Sequence, residues 1–224
     1  MTQELLRRVA NGELSAQSAK ALLSKPAGER QLQASDGAVA VIGMAGRFPG
    51  ADGLGAFWTM LTESRSAVRP GPLGRWGEAR YAGGWLDDIS SFDHGFFGIS
   101  RREAEVMDPQ QLLFLEMAWS ALENAAYAER DLSGRKVGVF VGAGAGDFAR
   151  QLMEQGAEPD GLSFMGNSNA ILAGRIAYLL NLRGPCLTID TACSSSLTAI
   201  HLACDALNSG SADMAIAGGV CVLP

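Results

Sequence analysis

The chain has 224 residues, of which 47% are hydrophobic and 19% are charged, so it can bury a hydrophobic core as one domain or slightly more. A net charge of −6 without a clustered basic stripe excludes a general affinity for nucleic acid, and no apolar run is long enough to span a membrane. A metal site is not expected, because the four cysteines have no C-x-x-C spacing and there are only two histidines. The polar start does not resemble a signal peptide. Together these features predict a cytoplasmic protein.

The first 25 residues are predicted to form two short helices, separated by Asn11-Gly12. Their apolar stripes are Leu5, Leu6 and Val9, then Ala19, Leu22 and Leu23. Each helix is too short to be stable alone in water. The pair is therefore either a frayed extension or a hairpin that docks on a partner, and residues 26–37 are predicted to be a polar linker.

The globular part is predicted to begin at residue 38 with a buried strand at 39–42. The glycine-rich turn that follows lacks the Lys-Ser/Thr of a phosphate-binding loop. An amphipathic helix is predicted next, from Leu54, Phe57, Trp58 and Leu61.

Two further helix starts show capping chemistry. Ser100 and Glu103 have capping-box spacing, and Asp108 precedes a proline at the first helical position.

Three strands are predicted in the second half, at residues 137–141, 186–189 and 214–217. The last two enclose a helix and are expected to pair in parallel through a right-handed crossover. Residues 144–149 match a loose dinucleotide fingerprint, G-x-G-x-x-A, but Asp147 would place a negative charge beside a pyrophosphate. We therefore interpret these glycines as a strand-to-helix turn.

Cys193 lies where the second of these strands turns into a helix, among small residues. Unpaired N–H groups and the positive end of a helix favour a thiolate there, which makes Cys193 a candidate nucleophile. The alternative is a small buried cysteine with a packing role.

The motifs together resemble the N-terminal half of a β-ketoacyl synthase, specifically the ketosynthase of a modular polyketide synthase. Matching segments occur in family order from residue 38 onward: 41–50, 84–88, 92–93, 96–100, 107–111, 174–178, 184–185, 190–197 and 217–220. Residues 166–173 most resemble ketosynthases of assembly lines served by a separate acyltransferase. The helical pair at the start resembles the segments that dock on an upstream synthase subunit.

This resemblance implies a thiolase-like fold, with layered α/β/α architecture, of which only the N-terminal half is represented. Cys193 corresponds to the nucleophile that takes an acyl chain from the phosphopantetheine of an acyl carrier protein, and its N–H to one oxyanion donor. Met165 corresponds to a residue that lines the acyl tunnel. The family implies no directly bound cofactor, decarboxylative condensation with a malonyl-type carrier protein, and a homodimer through the strand at 186–189. A non-elongating transacylase and a non-catalytic assembly element remain alternatives.

The resemblance also implies two catalytic histidines from the second half of the family fold. His94 and His201 correspond to neither, so this chain alone is expected to be inactive in condensation. Without a second half, we expect an exposed apolar face around Ile189, Ile216 and Val220.

Overall fold

The computed structural model describes Asn11 and residues 37–72 and 82–222. The chain divides into two units, Met1–Ala38 and Val39–Pro224. The helices predicted within residues 1–25 lie outside the described residues except for Asn11, which is in a turn. The predicted linker also lies outside them, except for Gly37.

The described part of the second unit contains both helices and strands, with helices in runs of up to three between strands. In chain order the elements are α1 (Leu54–Thr62), β1 (Val68–Pro70), β2 (Ala82–Gly84), α2 (Arg101–Val106), α3 (Pro109–Asn124), α4 (Glu129–Leu132), β3 (Val137–Gly142), α5 (Phe148–Glu154), α6 (Gly161–Asn167), α7 (Asn169–Leu179), β4 (Cys186–Ile189), a 3₁₀ turn (Ala192–Ser194), α8 (Ser195–Asn208) and β5 (Met214–Gly219).

The main sheet has the strand order β4-β3-β5, and both pairings are parallel. The three predicted strands are therefore confirmed, but the expected direct pairing of β4 with β5 is wrong. Strand β3 lies between them and is buried along its whole length. An apolar strand with both edges hydrogen-bonded is most stable at the centre of a parallel sheet, where helices cover both faces.

Helices cover this sheet on both faces, which gives the expected α/β/α layering. Val137, Val139 and Val141 of β3 point to a core that includes residues of α3 and α7. Phe140, on the opposite face, packs against Ala199 and other small residues of α8. The alternation of side chains along one strand thus places a helix layer on each side.

The predicted buried strand at residues 39–42 is wrong. These residues form no strand, and the Val41 side chain is 75% exposed. The backbone just beyond them is held by α3 instead: Gly43 packs closely against the Ala121 carbonyl, and the Met44 N–H donates to Asn124 Oδ1 at 3.0 Å. Strand propensity depends on tertiary context, and within the described residues this segment pairs with no strand.

The predicted helix at α1 is confirmed, but its predicted apolar face is partly wrong. Trp58 is 68% exposed and Leu61 is also exposed, whereas Met60 is the buried residue of this helix. Phe57 stacks on Phe48 with ring centroids 3.9 Å apart. The helix therefore buries a narrower stripe than its composition indicates.

The exposed apolar face is also located elsewhere than expected. Ile216 is buried in the core, and Ile189 and Val220 are half-buried. The exposed large apolar side chains include Leu197 and Ile200 on the outer face of α8.

Candidate active site

Cys193 lies in the 3₁₀ turn between β4 and α8, and its side chain is exposed. The predicted strand–turn–helix context is thus confirmed, and the alternative of a buried packing cysteine is wrong. Cys193 lies two residues before Ser195, the first residue of the 14-residue helix α8. The other cysteines, Cys186, Cys204 and Cys221, are also free thiols.

Small polar side chains fix the shape of this turn. Ser195 Oγ accepts a hydrogen bond from the Thr191 N–H at 2.9 Å and donates to the Ala192 carbonyl at 2.7 Å. The Ala192 N–H donates to Asp190 Oδ1 at 3.0 Å, and Ala192 itself has a φ of 56°. A left-handed conformation is costly for a residue with a Cβ, so these bonds hold a backbone shape that the chain would otherwise avoid.

Two glycines allow the start of α8 to sit directly on the ends of two strands. A Cβ added to Gly142, at the end of β3, would lie 2.5 Å from the Ser195 carbonyl carbon. A Cβ added to Gly219, at the end of β5, would lie 2.6 Å from Ser196 Cβ. The turn that carries Cys193 is therefore positioned by the carboxyl edge of the sheet, where ligand sites of parallel α/β folds usually lie.

The backbone N–H of Cys193 is available to a ligand. Among the described residues it donates to no acceptor, whereas the Ala192 and Ser194 N–H groups on either side are both used within the turn. The partial positive charge at the start of α8 stabilises an anion placed here. These features suit a site where negative charge develops beside a thiol.

Met165 lies on α6 and is 40% exposed. The segment that follows it approaches the cysteine turn through the end of β3, since Asn169 Nδ2 donates to the Ala143 carbonyl at 3.3 Å. Ala143 follows Gly142, which packs on Ser195. These contacts join the start of α7 to the loop after β3, beside the start of α8.

A buried polar cluster beside these elements was missed by the sequence reasoning. Gln111 is 3% exposed, and its amide group binds the carbonyls of Met165 and Ser168 and the guanidinium of Arg175. Arg175 also forms an ion pair with Glu103 at 2.6 Å. The available signal was a pair of glutamines in the first turn of a helix, directly before the apolar run at residues 112–115.

The helix caps were predicted correctly in part. Ser100 Oγ accepts from the Glu103 N–H and Asp108 accepts from the Gln110 N–H, as caps of α2 and α3. The Glu103 carboxylate pairs with Arg175, which takes it away from the reciprocal capping-box contact.

The glycines of the loose dinucleotide fingerprint have a packing explanation. A Cβ on Gly146 would collide with the Asp108 carboxyl group. Asp108 is buried, and this burial raises the pKa of its carboxyl group. A dinucleotide site needs room for a pyrophosphate at such a glycine, and a carboxyl group already fills that room.

Neither histidine contributes to the cysteine turn. His94 Nδ1 lies 2.9 Å from the Ile99 carbonyl oxygen, in the loop before α2. His201 Nε2 lies 3.4 Å from Asp205 Oδ2 on the exposed face of α8. Eight residues separate His201 from Cys193, or roughly 12 Å of helix.

A separate cavity of about 340 Å³ lies between α5 and α6. It is lined mainly by apolar side chains, among them Leu152, Met153, Ala157, Pro159 and Phe164.

Within the described ranges, no three His, Cys, Asp or Glu side chains lie together in a way that could hold a metal ion. In the same ranges, no helix is both long and apolar enough to cross a bilayer.

The family profile described as "Beta-ketoacyl synthase, N-terminal domain" matches residues 36–224. One of the phenolphthiocerol/phthiocerol polyketide synthase chains of Mycobacterium tuberculosis is 43% identical over 199 residues, which are 82% of this chain and 13% of that protein. Polyketide synthase PksN of Bacillus subtilis is 41% identical over 81% of this chain, which is 4% of its own length.

Two solved structures share the fold. The ketosynthase from module 6 of the Bacillus subtilis bacillaene synthase superposes with a TM-score of 0.73 and is 43% identical, covering 82% of this chain and 32% of its own. The oxazolomycin ketosynthase domain OzmH KS7 of a Streptomyces albus strain gives a TM-score of 0.72 at 40% identity, and 35% of it is covered. The chain thus spans about a third of each solved ketosynthase.

The layered sheet and the cysteine turn define a thiolase-like α/β protein, represented here by the N-terminal half of that fold. The chain belongs to the β-ketoacyl synthase family, and its relatives are ketosynthase domains of polyketide synthases. The resemblance of the motifs to the N-terminal half of a polyketide ketosynthase is therefore confirmed.

Proposed function

We propose that Cys193 accepts an acyl group as a thioester, as the first half-reaction of a polyketide ketosynthase. The Cys193 sulfur attacks the carbonyl carbon of an acyl thioester on the phosphopantetheine of a carrier protein. The new carbon–sulfur bond gives a tetrahedral intermediate with negative charge on the thioester oxygen. Its collapse breaks the old carbon–sulfur bond, and the released pantetheine thiolate takes the proton that Cys193 gives up. The observation that carries this proposal is the exposed thiol on a rigid strand-to-helix turn.

The unpaired Cys193 N–H supports the same step. Attack on the thioester places negative charge on its oxygen, and a fixed N–H at the start of a helix stabilises that charge. In this proposal the N–H supplies one donor of an oxyanion hole. The small Ser194 and exposed Ser196 beside the cysteine leave the sulfur accessible.

Condensation would need a base or hydrogen-bond donor beside the held acyl group. His94 and His201 are engaged elsewhere, with Ile99 and Asp205 respectively. We therefore propose that this chain alone acylates but does not decarboxylate a malonyl-type carrier protein, and that histidines from a second half complete the reaction. A separate acyltransferase supplying the extender is part of the same proposal.

The acylation step is tested by incubating the chain with an acyl-N-acetylcysteamine thioester and measuring intact mass. One acyl adduct is expected on the wild type and none on Cys193→Ala. Cys221→Ala, which removes another exposed thiol, is the matched control and should keep the adduct. A wild type without an adduct, or an adduct that persists in Cys193→Ala, contradicts the proposal. Carbon dioxide release from malonyl-carrier protein by the chain alone would contradict the proposal that this chain acylates but does not decarboxylate.

Assembly as a homodimer is a second candidate function, favoured by the position of β4. This strand is at the edge of the described main sheet, and Leu187 within it is 47% exposed. An exposed apolar edge strand is a template for pairing with another chain.

The dimer proposal predicts a dimer by light scattering, and a monomer for Leu187→Lys. Trp58→Lys, an equally drastic change at an exposed site on α1, should leave the dimer intact. A Leu187→Lys protein that remains dimeric would contradict assembly through β4.

A further inference from the structure

The junction between α2 and α3 caps the end of α6. The last carbonyls of a helix have no partner within it, and here α3 supplies partners. The Asp108 N–H donates to the Gly166 carbonyl at 3.0 Å, and Gln111 Nε2 donates to the Met165 carbonyl at 3.2 Å. Gly166 makes this approach possible, because a Cβ there would lie 2.9 Å from the Val106 carbonyl oxygen.

Gln111 also reaches past the end of α6. Its Nε2 donates to the Ser168 carbonyl at 3.1 Å, so both amide hydrogens hold one short segment, residues 165–168. Gln111 is almost completely buried, and losing these bonds would leave the two carbonyls without this donor.

Arg175 sets the orientation of the Gln111 amide. Arg175 Nε donates to Gln111 Oε1 at 2.6 Å, which directs the amide NH₂ toward the two carbonyls. Arg175 Nη1 is held by Glu103 Oε1, also at 2.6 Å, and both side chains of this ion pair are mostly buried. The contacts from Glu103 through Arg175 to Gln111 therefore join α2, α3 and α7 to the turn between α6 and α7.

We propose that Gln111 is a positioning residue that fixes the segment 165–168, and with it one wall of the acyl site beside Cys193. We call the two hydrogen bonds from Gln111 to the Met165 and Ser168 carbonyls the clamp. The effect of the clamp on acyl groups rests on the proposed function, whereas the clamp itself is defined by these hydrogen bonds. The segment continues into Asn169, which binds the loop after β3. Gly142, which directly precedes that loop, packs on the first turn of α8. In this proposal, loss of the hydrogen bonds from Gln111 moves Met165 within the acyl site.

The clamp is tested first by hydrogen–deuterium exchange of peptides covering residues 161–169. Gln111→Met keeps the length of the side chain but removes both donors. Exchange in this segment is expected to rise by about three- to tenfold, as for loss of hydrogen bonds of ordinary strength. Gln155→Met, the same substitution at an exposed site after α5, is the matched control and should change nothing there.

Arg175→Lys provides a second variant in case Gln111→Met does not fold. Lysine keeps a charge opposite Glu103 but lacks the fork that binds Glu103 and Gln111 together. Exchange at residues 161–169 should rise here too, and Gln111→Met combined with Arg175→Lys should be no worse than Gln111→Met alone.

The acyl readout compares Cys193 acylation by acetyl and octanoyl N-acetylcysteamine thioesters. A merely structural defect slows both acyl groups alike, whereas a displaced wall changes the ratio of the two rates by about three- to tenfold. Unchanged exchange at 161–169 in both variants overturns the clamp, and an unchanged ratio with raised exchange overturns its role in acyl selection. If the wild type takes no acyl group, the proposed function fails, while the exchange measurement still confirms or overturns the clamp.

Discussion

Gly142 and Ser195 lie in direct backbone contact, so that a Cβ on Gly142 would come within 2.5 Å of the Ser195 carbonyl carbon and nitrogen of the next residue. Backbone cannot move aside as a flexible side chain can. The start of α8 therefore depends on the absence of a side chain at one residue of β3.

Gly142→Ala should lower the free energy of unfolding by about 1–3 kcal/mol or more, because the added methyl group forces β3 and α8 apart. Urea unfolding measures this, and acylation of Cys193 should fall in parallel. Gly174→Ala is the matched control in α7. A Cβ there meets nothing within 4 Å, so the protein should gain about 0.5–1 kcal/mol from lower chain entropy. A Gly142→Ala protein as stable as the wild type would show that α8 is not seated on β3 in this way.

Ser195→Ala should destabilise the cysteine turn by about 1–3 kcal/mol, because the Thr191 N–H loses its acceptor in a partly buried setting. Urea unfolding and the acylation rate at Cys193 check this prediction. Ser196→Ala keeps the Cβ that packs near Gly219 and removes an exposed hydroxyl, so it should change stability by less than about 0.5 kcal/mol. Equal effects of the two substitutions would contradict the assigned role of the Ser195 hydroxyl.

Asp108→Asn should alter how stability depends on pH. Burial raises the pKa of Asp108 above its ordinary value of 3.8, so the folded chain binds this proton more tightly than the unfolded chain. Asp108 therefore lowers stability as the pH rises from 3.8 through the raised folded-state pKa. Asparagine keeps an oxygen to cap Gln110 without the charge. The variant should gain stability relative to the wild type across that window, as measured by urea unfolding at successive pH values. A difference that does not vary with pH would contradict this.

Asp88→Asn should show the opposite dependence. Hydrogen bonds from Ser91 and then Ser90 lower the pKa of Asp88 below its ordinary value. This carboxylate therefore adds stability that is complete above pH 3.8 and is lost as the pH falls through the folded-state pKa. The variant should be less stable than the wild type near neutral pH, with the difference shrinking in acid. Urea unfolding between neutral pH and the acid limit of folding measures it, and a difference that grows in acid would rule it out.

The features that the sequence predicted are those that depend on neighbouring residues. The caps at Ser100 and Asp108 and the strand–turn–helix at Cys193 are set within a few positions, so their residue patterns are sufficient. The role of Cys193 as an acyl acceptor stays a prediction, which the intact-mass measurement tests.

The features that were missed depend on distant partners. Gln111 and Arg175 are 64 positions apart, and no local pattern connects them. The segment at 39–42 has the composition of a strand but forms none, and the adjoining Met44 is held by Asn124, 80 positions away, a contact that no local pattern shows.

The pairing of Gly142 with Gly219 makes the start of α8 sensitive to the register of β5 on β3. The two glycines are register partners across β3 and β5, and both lie under the first turn of α8. A slip of β5 by two residues, which keeps its faces correct, would put Ala217 or Cys221 where Gly219 belongs. Either side chain would hold α8 away, so a misaligned sheet could not complete the turn that presents the thiol. Correct strand alignment and a competent cysteine are thus reached together or not at all.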